Sequence, residues 1–552
     1  MTAVCLFFLF LIVPFEPRFT VPVGPLHLSL IEAVALPCFA ILATGADVRG
    51  HGLRLRSSPA LLALAVFVAV AIVSAALATV EPRRAFKFAL RLAAMFACAA
   101  LVARVDDRAR TWAFRGLLAS GSLAAVLAML EGVGVRSIDV LLGAFREIPF
   151  NVAGVRRASA GSEYPNLGAA MMLYALLCGV VLLRGRPWLR ASFVAAMAFG
   201  LCQTYSRGAW IAGLVALCAG ALFERGRGRF VPGVAYAGVL AVFIFGQEIS
   251  QIRFGGENAN DFYAATYKSP KQFAMDASAR VVVQVEVRNV GRRPWRVADQ
   301  IHLSYHLYEN SKRPLVDGPR TDLPHDVLPG QSVTLEAILR APRRPGEYLL
   351  MWDLVHEDTT WFSGQGVTPG VARLLVGGAE EAAPVEATAS GPEDPSAGLK
   401  VPASAEPVLA PEALAWRPSR LDLWRLAARM WASHPFFGVG PDNYRWTYGA
   451  LAGKKTFDTR VFANNMYLEF AATLGTLGLA AFLAALALAL GRGAGLAAAS
   501  DTARIAVTIL VAMSVHGLVD YVLAFTGHYL VFALALGTLS APKAVIPPDP
   551  SR

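Results

Sequence analysis

The stretch PALLALAVFVAVAIVSAALATV, residues 59–80, runs for 22 residues without a charge. At about 1.5 Å of helical rise per residue, such a run reaches across a hydrocarbon core of roughly 30 Å. LEFAATLGTLGLAAFLAALALALG (468–491) does the same with a single acid near its start. The rest of the chain agrees: 55% of its 552 residues are hydrophobic, 16% are charged, and mean hydropathy is +0.48. Soluble domains carry about 25% charged residues. The fold class expected is an all-α polytopic membrane protein of about 12 transmembrane helices. They are placed near 1–15, 25–45, 59–80, 85–103, 112–133, 166–183, 190–205, 208–223, 230–249, 466–490, 503–523 and 528–541. The first fifteen residues lack a basic stretch and a small-residue cleavage site, so they read as a membrane helix and not a removed signal.

Dense basic clusters occupy alternate loops: DVRGHGLRLR (47–56), RVDDRAR (104–110), RGRPWLR (184–190), ERGRGR (224–229) and GRG (491–493). By the positive-inside bias these loops are cytoplasmic, with both termini. The net charge of +11 is then explained by cytoplasmic arginines, with no nucleic acid as partner. TYSRGAW (204–210) and the segment 250–465 face outward. The six cysteines, Cys5, Cys38, Cys98, Cys178, Cys202 and Cys218, all sit in apolar runs without metal-ligand spacing, as small buried hydrophobes.

The outward segment has three characters. Over 278–377, short alternating runs such as ARVVVQVEVRNVG, QIHLSYHLYE and SVTLEAILRAP recur between turn signals, which predicts an inserted all-β sandwich domain. Over 378–412 the chain is rich in Ala, Pro and Glu, the composition of a disordered linker. From 415 to 465 a helical pattern resumes in SRLDLWRLAARMWASHPFFG, with apolar positions at 421, 424, 426, 427, 430 and 431. Residues 1–249 and 466–541 form the membrane part.

Arginine outside works against the topology bias and invites a reason. Arg84, Lys87 and Arg91 lie three and four residues apart, on one face of a span that begins at the outer surface. Arg156 and Arg157 precede another span; Arg207, Arg417, Arg420 and Arg425 complete the set. A guanidinium fork suits the oxygens of a diphosphate, and an interface position suits a lipid-borne one. The simpler alternative is that these residues snorkel to lipid headgroups. Arg207, wedged between two apolar runs, fits that alternative least.

Five stretches resemble one family. TYSRGAW, RRASAGSEYPNLGAA (156–170), SRLDLWRLAARMWASHPFFGVGPDNYRW (419–446), NNMYLEFAATLGTLGL (464–479) and VHGLVDYVL (515–523) are similar, in order and spacing, to motifs of the O-antigen ligase and polymerase family. The resemblance covers about 1–249 and 415–541. It implies transfer of a glycan from a polyprenyl-diphosphate-linked donor to an acceptor hydroxyl on a glycan, lipid or protein. The implied place is the outer face of the bacterial inner membrane, among membrane lipids, with no cofactor and no metal. It places Arg207 and Arg420 on the arginines that hold the diphosphate. Ser206 beside Arg207, with Arg84, Lys87, Arg91, Arg156, Arg157, Arg425 and Asn465, would line the substrate.

Two departures matter. The family's histidine, proposed to activate the acceptor, falls at Asn464, which can orient a hydroxyl but cannot take its proton at neutral pH. His434 reads as a helix-end residue before Pro435. The inserted sandwich resembles an immunoglobulin-like module found beside carbohydrate-active domains. Trp295, Trp352, Trp361 and Tyr305 there either stack on sugars or fill the core, while His302 and His306 share a strand face without further metal ligands. Two other functions stay open: a transporter or flippase for lipid-linked glycans, and an inactive scaffold that binds glycan.

Overall fold

A computed structural model describes residues 1–23, 26–44, 58–135, 137–146, 150–152, 155–246, 262–291, 293–309, 316–357, 360–363, 367–377, 418–454 and 457–542. The linker expected over 378–412 lies outside them. The first helices are α1 (Thr2–Ile12), α2 (Leu30–Thr44), α3 (Pro59–Leu77), α4 (Pro82–Arg104) and α5 (Asp107–Gly132). Then come α6 (Ile138–Leu142), α7 (Pro165–Leu182), α8 (Pro187–Cys202), α9 (Arg207–Ala221) and α10 (Val231–Gly246). Beyond the β-rich insert lie α11 (Arg420–Ser433), α12 (Tyr444–Leu451), α13 (Met466–Leu496), α14 (Asp501–His516) and α15 (Thr526–Ser540). Helices α3, α4, α7 and α8 open on proline, whose fixed φ suits a first helical residue and whose missing N–H costs nothing there. Asp106 and Ser500 cap α5 and α14 by accepting the N–H of Ala109 and Ala503.

Among the described residues, six helices are long and apolar enough to cross a membrane: α3, α4, α5, α7, α10 with its preceding turn, and α13. The chain is therefore a multi-pass membrane protein. Other expected spans fall on shorter helices. Helices α1, α2, α8, α9 and α15 are apolar but shorter, and a 15-residue helix extends only about 22 Å. The bundle packs α1 on α5, α3 on α13, α4 on α15, α5 on α7 and α9 on α14. Two helices occupy its middle. Every residue of α15 is buried, and all of α7 but Asn166 and Leu182, as expected of helices apolar all round and enclosed by others.

Helix α13 is broken. Gly475 has φ 68° and ψ −171°, a conformation open essentially to glycine alone. The chain after α11 fills the break: Thr476 N–H donates to Pro435 O at 2.7 Å and Gly440 N–H to Thr473 O at 3.0 Å, while Val439 N–H reaches Ala472 O at 3.0 Å. From α3, the Ser74 hydroxyl donates to Phe437 O at 2.6 Å and to Thr473 O at 2.9 Å. Backbone groups freed by the break are thus re-satisfied by protein. A Cβ on Gly475 would stand 2.3 Å from the Phe436 carbonyl, and one on Gly438 2.2 Å from Thr473 C. The two backbones meet with no room for a side chain.

Helix α11 starts on a capping box between Ser419 and Asp422. It buries Leu423, Leu426, Ala427 and Met430, whereas Leu421, expected on the apolar face, is 53% exposed.

The insert is β-rich and starts earlier than the pattern at 278 suggests. Strands β5 (Ala265–Lys268) and β6 (Gln272–Asp276) precede β7 (Arg280–Asn289), and the region ends with β14 (Gly370–Gly377). (β1–β4 are the small hairpins Thr20–Val23/Leu26–Ser29 and Phe150–Val152/Val155–Arg157.) One sheet has β11 (Ser332–Arg340), β7 and β5 side by side. The other has β10 (Thr321–Asp322), β8 (Ile301–Tyr308), β12 (Gly346–His356), β14 and β6, with β9 (Val316–Asp317) on β8 and β13 (Thr360–Trp361) on β12. Val283, Val285 and Val287 share a core with Leu303, Leu350 and Leu374, so the two sheets face each other across it. Trp295, Trp352 and Tyr305 belong to that core, and the indole N–H of Trp295 donates to Phe262 O at 2.8 Å. Trp361 instead lies half-buried, its ring 4.1 Å from that of His306 and 4.8 Å from the Arg320 guanidinium. His302 and His306 spend their Nδ1 atoms on Asp322 and Asp317, both at 2.7 Å.

Candidate functional site

The TYSRGAW stretch forms a turn between α8 and α9. Tyr205 takes φ 51° and Ser206 leads into α9, whose first residue is Arg207. The loop 157–166 holds this turn from the side. Arg157 Nε donates to Thr204 O at 2.8 Å, and Ala158 N–H to Gln203 O at 2.9 Å. The other arm of Arg157, Nη2, donates to Asn166 Oδ1 at 2.8 Å, and Asn166 Nδ2 donates to Asp520 Oδ2 at 2.7 Å. The same carboxylate oxygen lies 3.9 Å from Nε2 of His516, a fully buried residue at the end of α14. Gly208 permits this approach: a Cβ there would be 3.1 Å from His516 Cδ2 and 2.5 Å from Val519 Cγ2.

The start of α13 docks on the same turn. Met466 N–H donates to Gly517 O at 2.7 Å, Asn465 Nδ2 to Leu518 O at 2.9 Å, and the Tyr467 hydroxyl to Ser514 O at 2.9 Å. Asn464, just before, takes φ 51° and is half-buried. From α11, the charge of Arg420 is felt at His516. Stretches near 157–166, 204–208, 420, 464–467 and 514–521 therefore converge at one end of the bundle.

The expected substrate residues divide sharply. Among the described residues, Arg207 has no ion pair and no side-chain hydrogen bond, and it is half-exposed. Arg91 is instead bound to Glu32, Nε to Oε1 at 2.7 Å. Arg156 binds Asp139 and lies 3.8 Å from Glu131; Arg146 bonds both acids, so two cations meet two anions. Arg157 is buried structural glue. Asn465 is the cap of α13, its Oδ1 accepting the N–H groups of Tyr467 and Leu468 at 3.0 Å each. Each of these four has a partner within the protein. Arg84 lies 4.1 Å over the Trp446 ring and 3.4 Å from Glu81. Lys87 is exposed beside it on α4, and Arg425 is exposed and 3.8 Å from Asp422. The residues of the stripe 84–87–91 thus have different surroundings. His434 is an exposed helix end bonded to Ser433.

Residues 403–483 match the O-antigen ligase family model. The family recognised from the motifs is the one that matches. The O-antigen ligase match spans α11, α12 and the broken first part of α13, including Arg420 and Asn464. It connects the chain to glycan assembly by a glycosyltransferase-like membrane enzyme acting on a lipid-linked glycan and an acceptor. No curated protein matches the chain.

Sequence reasoning missed Asn166, His516 and Asp520. All three lie inside stretches that carried the resemblance, PN and VHGLVD, but nothing in their spacing assigns them a role. Also missed was Arg445, which grips Asp442 through two contacts of 2.7 Å and lies 5.4 Å from the Phe462 ring. Glu469 is buried on the first turn of α13, with Oε2 accepting Ala463 N–H at 2.8 Å. It fixes the backbone one residue before Asn464.

Proposed function

We propose that this chain transfers a polyprenyl-diphosphate-linked glycan to an acceptor hydroxyl at the periplasmic face of the inner membrane. One observation carries the reading: among the described residues Arg207 stands un-neutralised at the convergence of the motif stretches, while Arg91, Arg156 and Arg157 are internally bonded. A cation left open among paired ones favours an anionic ligand. Arg207 and Arg420 would grip the diphosphate and stabilise the charge that builds on the bridging oxygen as the glycosidic bond breaks. Asn464, held in a fixed backbone conformation, would orient the hydroxyl. The β-rich insert, read as an immunoglobulin-like sandwich, would position acceptor or product. A flippase would need charges lining a path through the bilayer; the open cation here sits at one end.

The test is release of polyprenyl diphosphate from a synthetic lipid-linked oligosaccharide by the full-length chain in liposomes. Arg207→Ala should reduce release about 10²–10³-fold, as loss of one transition-state donor does elsewhere. Near-normal release by a folded, inserted Arg207→Ala chain refutes the reading.

A further inference from the structure

We propose that His516, paired with Asp520, is the proton acceptor of the transfer step, supplying the base that position 464 lacks. The proposal rests on the reading above that Arg207 and Arg420 hold the donor diphosphate. His516 is 1% exposed, and its Nδ1 is buried with no hydrogen-bond partner among the described residues. A buried polar atom left unmade costs roughly 1–3 kcal/mol, so such atoms call for a ligand or a function. Every polar group next to it is spoken for: Asp520 holds Asn166 and the Tyr521 N–H (2.7 Å), and Asn166 holds Arg157. In this set the imidazole Nδ1 is the polar atom without a partner among the described residues.

The geometry also sets the tautomer. Nε2 faces the Asp520 carboxylate at 3.9 Å, close enough for charge attraction and too long for a hydrogen bond. A proton on Nε2 is favoured there, which leaves the Nδ1 lone pair as the acceptor. The imidazole lies against Gly208, one residue from Arg207, and feels Arg420. A base in this place is beside the groups that would hold the leaving diphosphate. In the step, the acceptor oxygen bonds to the anomeric carbon as the bond from that carbon to the diphosphate oxygen breaks. The diphosphate leaves with the electron pair, and the hydroxyl proton passes to His516 Nδ1. The imidazolium then closes on Asp520.

The charged and titratable groups around His516 are Asp520 on its own turn, Arg420 on α11 and His528 on α15, and Gly208, next to Arg207, lies against its ring. Arg420 is a positive charge within electrostatic reach of the ring that a bound diphosphate would offset.

The test uses the full-length chain in liposomes with a synthetic polyprenyl-diphosphate-linked disaccharide, an alkyl glucoside as acceptor, and sodium azide as an alternative nucleophile. Azide has no proton to lose, so it bypasses a missing base. His516→Gln should lower transfer to the glucoside about 100-fold or more, the scale of lost general-base catalysis, with donor KM little changed. The acidic limb of the wild-type pH profile should vanish. Azide should restore diphosphate release in His516→Gln as glycosyl azide forms, and should not do so in Arg207→Ala. Adding Asn464→His to His516→Gln should recover part of the rate with a new acidic limb. The proposal is overturned if His516→Gln keeps a wild-type rate and pH profile. It is equally overturned if azide fails to rescue a variant that still binds donor, since the residue is then structural. A wild-type chain that releases no diphosphate in either arm defeats the transfer reading itself, and this proposal with it.

Discussion

Asp353 offers a quantitative test of the β-rich insert. It lies on β12, fully buried, accepting from the Tyr267 hydroxyl at 3.1 Å and from Ser363 N–H at 3.1 and 3.2 Å. Burial pushes its carboxyl up to about 7, against the lowering effect of those hydrogen bonds. An unfolded chain holds an aspartate near ~3.9. Below about pH 4 both states bind the proton and the insert has its full stability. As pH rises from about 4 to about 7 the unfolded chain releases the proton first, so stability falls; above that range both are ionised and the loss is complete. Three units at 1.36 kcal/mol each give about 4 kcal/mol. Hydrogen exchange of the β12 amides in the detergent-solubilised full chain, corrected for intrinsic rates, should show opening become easier over this window. Asp353→Asn should flatten that slope, because the amide carries no titrating proton. An unchanged slope in Asp353→Asn would show that the burial argument is wrong.

Gly475→Ala should destabilise by about 3 kcal/mol or more, since its conformation suits only glycine and its Cβ would strike the Phe436 carbonyl. Gly438→Ala should do likewise, and the double variant should cost less than the sum in thermal unfolding, because one docking is lost twice. Arg207→Lys should recover little of the activity lost in Arg207→Ala, as a point charge cannot make a bidentate contact; full recovery in the release assay would count against a diphosphate fork. Arg91→Ala should instead act on stability, by about 3–5 kcal/mol, through the stranded Glu32, and its melting temperature should fall before any donor effect appears. A phosphatase reporter fused after Gly377 should be active and one after Arg229 silent; the reverse would invert the topology on which the site stands.

The membrane part is legible because apolar runs and proline starts are local signals: 59–80 needs no partner to be read as a helix. Arg207 and Arg420 are legible as basic residues in motifs, and the fold brings their stretches together. Pairing is what escapes. Arg91 looks like a free cation until Glu32, 59 residues away, is seen against it. Asn166 and Asp520 are bonded across 354 residues, and no periodicity announces such a contact. Strands β5 and β6 are four and five residues long, too short for alternation to stand out, so the pattern places the start of the insert late. Helix ends escape for a related reason: an apolar run ends where its sequence turns polar, but the helix inside it ends where its backbone turns.

The break in α13 has a consequence for how this chain tolerates so large an insert. The chain leaving α11 is sewn into the gap at Gly475, so α11 is anchored from its far end, onto the helix that begins beside Asn464. The connection from the insert enters α11 at the opposite end, at Ser419. Arg420 is therefore held in register from its C-terminal side, not by the long excursion before it. A module of any length can be spliced upstream without moving the arginine, much as a rope can be lengthened above a cleat without shifting the knot below.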